Sequence, residues 1–407
     1  MNILYLCTRV PYPPTDGGTI GVWSLVKNLS KLGNKITVLS LNTKKHYINI
    51  NHIQSELPEN VDILCVDIDT SIKILPAIQN LLFSKAPYII SRFYSKEYKE
   101  QLKNILLSKK FDVVQFESPM MFFYISTIYE YSNAPVIART ANIENEIWER
   151  ISKQEKNILR KKYYKILASR MKNIEIKSIE SADDFIAVTD INTQYFSNKI
   201  KKNLGNTIQT GVDGEDILSS PVHHSEISFC FIGALDWRPN QEGLFWFLEN
   251  VWKKFIDSNK NYKFHVAGRN ASEHTIKTIS KYSNVIFHGE VSDAKEYIRS
   301  HSVMLVPLLS GSGMRVKIVE GMANGAAIIS TTIGAEGINV EHNKNILIAD
   351  TPDEFINSMT ALSKNVELLN KLSNSGLDFI KTEYDNLVIA QKLNNIYLEL
   401  LEKKQAN

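Results

Sequence analysis

The sequence predicts an α/β chain built from two doubly wound, Rossmann-like parallel-sheet domains, and three observations predict it. Short apolar runs alternate with longer segments of helical period, which implies parallel strands covered by helices on both faces. The alternation stops at a polar stretch, residues 213–226, that holds Gly214, Ser219, Ser220, Pro221, His223 and His224, and then begins again. At 407 residues the chain is also too long for one ordinary domain. The expected division is 1–212, 213–386 and a C-terminal helix, 387–407, that can dock on either domain, including back on the first.

In the first half the strands are read at Ile3–Cys7, Ile36–Leu41, Ile63–Val66, Val113–Phe116, Val136–Ala138 and Phe185–Thr189. The first helix is announced by Val22, Leu25, Val26, Leu29 and Leu32, whose spacing gives one buried stripe. In the second half the strands fall at Ser228–Ile232, Phe264–Ala267, Val285–Phe287, Val303–Val306, Ala327–Ser330 and Ile346–Ile348. Two such domains create a central cleft between the carboxyl ends of their sheets, where open α/β sheets bind ligands.

Composition narrows the class. With 43% hydrophobic and 22% charged residues the chain is globular rather than disordered or fibrous. It opens on an apolar run without a basic leader, so a cytoplasmic protein is expected. The most apolar segment, Ile74 to Phe83, is too short to span a bilayer and is interrupted by Pro76, Gln79 and Asn80. Cys7, Cys65 and Cys230 each sit in an aliphatic run and read as core thiols, and the nine histidines show no metal spacing. Residues 1–210 carry 28 Lys and Arg against 20 Asp and Glu, so the first half holds the positive surplus. Much of it lies in Arg160, Lys161, Lys162, Lys165, Arg170, Lys172 and Lys177, set among Tyr163, Tyr164, Ile166, Leu167 and Met171. That segment is expected to form an amphipathic basic helix, either a solvated face or a peripheral contact with an anionic membrane or a phosphorylated acceptor.

The chemistry sits at the turns that follow strands. Gly17 and Gly18 link the first strand region to the first helix, where small residues and free amides favour an anion. No G-x-G-x-x-G follows a strand, which removes the main support for a dinucleotide-dependent dehydrogenase. The run Gly311-Ser312-Gly313-Met314-Arg315-Val316-Lys317 opens a later helix with two cations in its first turn. Cations there oppose the helix dipole, so a diphosphate partner is expected, with Glu320 one turn on to accept ribose hydroxyls. Arg238 and Asn240 begin a further helix, and Gly268 and Val291 close two more strand ends on the same rim.

The segments FIGALDWRPNQEG, FHVAGR, VIFHGEVSD and SGSGMRVKIVEGMANGAAIISTTIGAEGI resemble the donor half of the retaining family-4 glycosyltransferases of the GT-B fold (glycosyltransferase group 1). YLCTRVPYPPTDGG, FDVVQFESP and RTANIENEIWER resemble that family's acceptor domain. The resemblance implies metal-independent hexosyl transfer from a UDP- or GDP-sugar to a glycan or lipid-linked acceptor of the cell envelope. It implies that Gly18 approaches the donor phosphate, that Arg238 and Lys317 contact the diphosphate, that the main chain at Val291 meets the base and that Glu320 holds the ribose. The departures are Ser312, where the family usually has a glutamate, and Ala141, where a histidine often precedes Asn142. Sugar contacts then fall to the backbone of Gly311 to Met314. Glu117, at a strand end, is the catalytic candidate on the acceptor side, with Asn142 and Glu144 beside it; a carboxylate there can equally bind acceptor hydroxyls or cap a helix. Asp67-Ile68-Asp69 has the form of a metal-binding pair but lies far from the donor motifs. No metal and no nucleic acid is expected. Two rivals remain: a nucleotide-sugar epimerase of the same fold, and a catalytically weak subunit that binds nucleotide sugar for a partner transferase.

Overall fold

The structure is a computed structural model that describes residues 1–200, 204–311 and 313–405. The chain divides into two compact units, Met1–Gln209 with Ile389–Asn407, and Thr210–Val388.

In the first unit seven parallel strands lie in the order β3-β2-β1-β4-β5-β6-β7. They are β1 (Asn2–Cys7), β2 (Lys35–Thr43), β3 (Val61–Ile68), β4 (Val113–Glu117), β5 (Val136–Thr140), β6 (Asp184–Ala187) and β7 (Asn206–Thr207). β1, β4 and β5 are buried along almost their whole length, as expected of strands with helices on both faces. The chain order reverses between β1 and β4, and such a switch point opens a crevice at the carboxyl ends of those two strands. β3 is an edge strand, so Cys65 is only half-buried there, whereas Cys7 and Cys230 are buried.

The second unit repeats the plan with six strands in the order β10-β9-β8-β11-β12-β13. These are β8 (Phe229–Ile232), β9 (Phe264–Ala267), β10 (Val285–Gly289), β11 (Val303–Val306), β12 (Ala327–Ser330) and β13 (Leu347–Ile348). The switch point falls between β8 and β11.

The C-terminal helix Asn386–Gln405 returns to the first unit, where Ile389, Ala390, Leu393 and Tyr397 are buried in one cluster with Ile3, Tyr5 and Val26. The basic segment forms the helix Ile158–Glu180, but not with the single apolar stripe expected. Leu167, Met171 and Ile174 are buried, while Ile158, Leu159 and Ile166 face solvent. The buried positions begin only at Leu167, although the helix also meets its neighbour Glu144–Gln154 earlier, where the rings of Tyr164 and Trp148 lie 5.8 Å apart. Among the described residues no helix is long and apolar enough to cross a membrane.

Candidate functional site

At the switch point of the first unit a cavity of about 130 Å³ is lined by Gly18, Glu117, Arg139, Ala141, Asn142 and Glu144, among others. Glu117 ends β4 with only 6% of its surface exposed, and both of its oxygens are engaged. Oε1 accepts from Gln115 Nε2 at 2.7 Å, and Oε2 accepts from Arg139 Nη1 at 2.7 Å. The order of donors runs further. Gln115 Oε1 accepts from the Tyr397 hydroxyl at 2.6 Å, and since that oxygen has one proton to give, the Tyr5 hydroxyl 2.9 Å away is the donor to it. Tyr5, Tyr397, Gln115 and Arg139 therefore all orient toward one carboxylate, each of whose oxygens takes one of these contacts.

Arg139 is 4% exposed and its Nε has no hydrogen-bond partner. Burial disfavours its charge, but Glu117 outweighs that and holds the guanidinium above its usual value. The sequence reading ends this strand at Ala138 and passes over Arg139, whereas β5 runs to Thr140; a charged residue prolonging an apolar strand is the available signal. Asn142 lies in the turn after β5, and Glu144 begins the next helix. Burial pushes the Glu144 carboxyl up, offset in part by its contact with Asn142. The buried Glu175 caps that helix from its neighbour, accepting from the amides of Glu144 and Asn145 at 2.7 and 3.1 Å.

The glycine turn differs from the expected open anion site. The Asp16 side chain caps the helix Gly17–Lys31, accepting from the amides of Gly18 and Thr19 at 2.9 and 3.3 Å. Arg9 grips the same carboxylate at 2.6 and 2.5 Å. Two of the amides offered to a phosphate are thus already taken by a local carboxylate, and Gly18 lines the same cavity as Glu117. A side chain at position 18 would meet Arg9 Nη2 at 2.6 Å.

A second depression, a groove of about 760 Å³, shares Thr8 and Arg9 with this cavity and lies at the ends of β2 and β3. Arg9, Lys44, Lys45, His46 and Arg92 line it against a single carboxylate, Asp69. Asp69 accepts from the Ser71 amide at 3.0 Å and faces Lys73 and Lys44 at 3.4 and 3.9 Å, and Asp67 accepts from Asn42 at 3.0 Å. The sequence carried the signal for this groove in Lys44-Lys45-His46, placed directly after a strand.

In the second unit the expected donor residues gather on loops at the carboxyl ends of the strands. Lys317 lies in the first turn of the helix Val316–Ala323, with its amine 2.7 Å from Asn240 Oδ1, 3.2 Å from Ile232 O and 5.0 Å from the centre of the Phe231 ring. Burial, helped by the nearby Arg315 charge and opposed by Glu320, lowers the Lys317 amine to about 7. Asn240 is itself buried and donates to Ala234 O at 2.9 Å. Glu320 keeps access to solvent, yet the surrounding protein pushes its carboxyl up, against the pull of Lys317 and Lys295. Arg315 is buried, donating to Gly313 O at 2.8 Å and lying 5.7 Å over the Trp237 ring. Arg238 stands apart from this group, 82% exposed and bound to Glu242 at 2.6 Å. Gly311 and Gly313 flank Ser312, which lies outside the described residues; both adopt positive φ. Val291 and Met314 are partly buried against the apolar cluster beneath. Gly268 is required by contact, since a Cβ there would lie 2.1 Å from the carbonyl oxygen of Gly233.

Residues 226–365 match the family model described as "Glycosyl transferases group 1". The crystal structure of HepE from Anabaena in complex with UDP covers 98% of this chain and 100% of its own, with a TM-score of 0.67 at 12% identity. The fold is GT-B. A glycosyltransferase from Rickettsia africae aligns with a TM-score of 0.65 at 15% identity, covering 98% of each chain. A Klebsiella pneumoniae protein described as an uncharacterized 44.6 kDa protein in the cps region is 23% identical over 397 residues, covering 95% of this chain and 97% of its own.

Proposed function

We propose that the chain is a glycosyltransferase that moves a hexosyl unit from a UDP- or GDP-sugar to a cell-envelope or surface-glycan acceptor, with retention and without a metal. The observation that carries the reading is Lys317, whose amine is held by Asn240 and Ile232 O, with Glu320 one turn away, in the segment that matches the glycosyl transferases group 1 model. HepE, which shares the fold, was crystallised with UDP.

In this reading the second unit holds the donor. Charge that develops on the diphosphate as the anomeric bond breaks is stabilised by Lys317 and Arg315, with Arg238 free to leave its exposed pair with Glu242 and join them. Glu320 accepts ribose hydroxyls, the main chain near Val291 meets the base, and the backbone of Gly311 to Met314 meets the sugar. The first unit holds the acceptor. Glu117 orients the attacking hydroxyl through its remaining lone pairs, Asn142 and Glu144 bind neighbouring hydroxyls, and the groove of Arg9, Lys44, Lys45, His46 and Arg92 receives an anionic group on the acceptor.

The test is calorimetric titration with UDP and with GDP, without added metal, beside Glu320→Ala. One nucleotide is expected to bind, and the variant to lose about 1–3 kcal/mol, as for hydrogen bonds to a charged group. Binding of neither nucleotide overturns the donor assignment. Donor hydrolysis by the isolated chain separates an active transferase from a weak binding subunit: a chain that binds nucleotide but never releases it from the sugar is the subunit.

A further inference from the structure

The helix Ile74–Phe83 buries none of its residues. Ile74, Leu75, Ile78, Leu82 and Phe83 are between 50 and 86% exposed, and Ile72 just before them is 74% exposed. Positions 74, 78 and 82 recur at helical spacing and 75 adjoins them, so the exposed residues form a face rather than scattered singles. A contiguous apolar surface of this kind on a described face of the fold needs an occupant.

Hydrogen bonds, not a core, hold the helix in place. The Arg170 guanidinium donates to the carbonyls of Asn80 and Leu81 at 3.2 and 2.8 Å, which ties it to the basic helix Ile158–Glu180. Asn80 Nδ2 donates to Ser91 Oγ at 3.1 Å, and the Lys73 amide donates to the Tyr88 hydroxyl at 3.1 Å. Arg170 thus ties the apolar segment to the middle of the basic helix, whose first turn leaves Ile158 and Leu159 71 and 78% exposed.

Charge decides among occupants. Residues 71–85 hold Lys73 and Lys85 and no carboxylate, and residues 156–172 hold Lys156, Arg160, Lys161, Lys162, Lys165, Arg170 and Lys172 and no carboxylate. The nearest acid before the first segment, Asp69, is already faced by Lys73 and Lys44. A second copy of the same face would set these cations against each other, whereas an anionic bilayer satisfies both halves of the surface: apolar side chains enter the acyl boundary and the lysines meet headgroups. We infer that residues 72–85, with the first half of the helix Ile158–Glu180, form a docking face for an anionic lipid surface. The face belongs to the first unit alone and does not depend on the transferase reading. Ile72 also lines the basic groove, so a substrate held in that lipid surface would reach the groove along the chain that leads to this helix.

The experiment is flotation of the full chain with vesicles of phosphatidylcholine alone and with about one-third phosphatidylglycerol. Binding to the mixed vesicles is expected to exceed binding to the neutral ones by about tenfold or more at low salt and to collapse in about 0.5 M salt. Leu82→Glu with Phe83→Glu should lower binding by about tenfold without changing the thermal midpoint, since both side chains are exposed. Lys161→Glu with Lys165→Glu should do the same from the other helix, so a folding defect in one variant leaves the second to decide. Equal retention on neutral and anionic vesicles, or no retention on either, overturns the proposal. A concentration-dependent dimer in light scattering that Phe83→Glu abolishes also overturns it, because the occupant is then a second copy.

Discussion

The hydroxyl of Tyr397, on the last helix, donates to Gln115 at 2.6 Å, and Gln115 in turn donates to Glu117 at 2.7 Å. A residue near the C-terminus therefore orients the carboxylate that faces the first unit's cavity. Replacing Tyr397 by Phe leaves the Tyr5 hydroxyl without its acceptor and Gln115 Oε1 without its donor, both buried. A loss of about 1–3 kcal/mol is expected in urea unfolding. If Tyr397 also positions Glu117, acceptor KM rises while UDP affinity on the other unit stays unchanged; a variant that alters only stability refutes the positioning role.

Glu117 and Arg139 are a buried pair, and breaking one side should cost more than removing both. Glu117→Gln leaves a guanidinium buried without its counter-charge and is expected to destabilise the chain by about 3–5 kcal/mol. Adding Arg139→Met to that variant should return part of the loss. A double-mutant cycle by chemical denaturation reads the coupling, and strictly additive effects would show that the two side chains do not act as a pair.

If Lys317 meets the donor diphosphate, as proposed, nucleotide binding carries a pH signature. Its amine is lowered to about 7, so at pH 8 most of it is neutral in the empty site. A diphosphate favours the charged form, hence binding at pH 8 takes up a proton and affinity falls as pH rises through and above 7. Titrations of UDP in buffers of different ionisation enthalpy at pH 8 should show proton uptake, and Lys317→Met should abolish it.

The second unit carries an acid-sensitive cluster. His265 Nδ1 lies 2.9 Å from His288 Nε2, and the His301 ring centre is 4.5 Å from that of His265. Burial first, then His301 and His288, depress His265 to about 4. A histidine depressed in the fold binds its proton more readily when unfolded. Its stabilising contribution is therefore complete above about 6.5 and is lost as pH falls from there toward 4. Thermal midpoints should fall over that window, and His265→Phe should flatten the fall.

Much of this architecture was legible because parallel strands buried on both faces spell themselves as unbroken apolar runs. Val303–Val306 and Ala327–Ser330 appear with the bounds read for them, whereas the two-residue β7 is too short to leave a pattern. Lys317 and Asn240 are legible from their places at helix starts, but their 2.7 Å contact joins two helices far apart in the chain and has no sequence signature. The same holds for Tyr397 and Gln115, which only the return of the last helix brings together. The capping of Gly18 by Asp16 is legible, since Asp just before a helix is among the preferred caps, but paired glycines at a strand-to-helix turn point equally to an outside anion.

The return of the C-terminal helix bears on how the molecule is made. In chain order β1 precedes the second unit, so the first unit lacks Ile389, Leu393 and Tyr397 until the helix Asn386–Gln405 emerges, after the whole second unit has been synthesised. During that interval Tyr5, Gln115 and the apolar face beneath them lack the cover this helix gives, and the Glu117 carboxylate reaches its final setting only once the helix has docked.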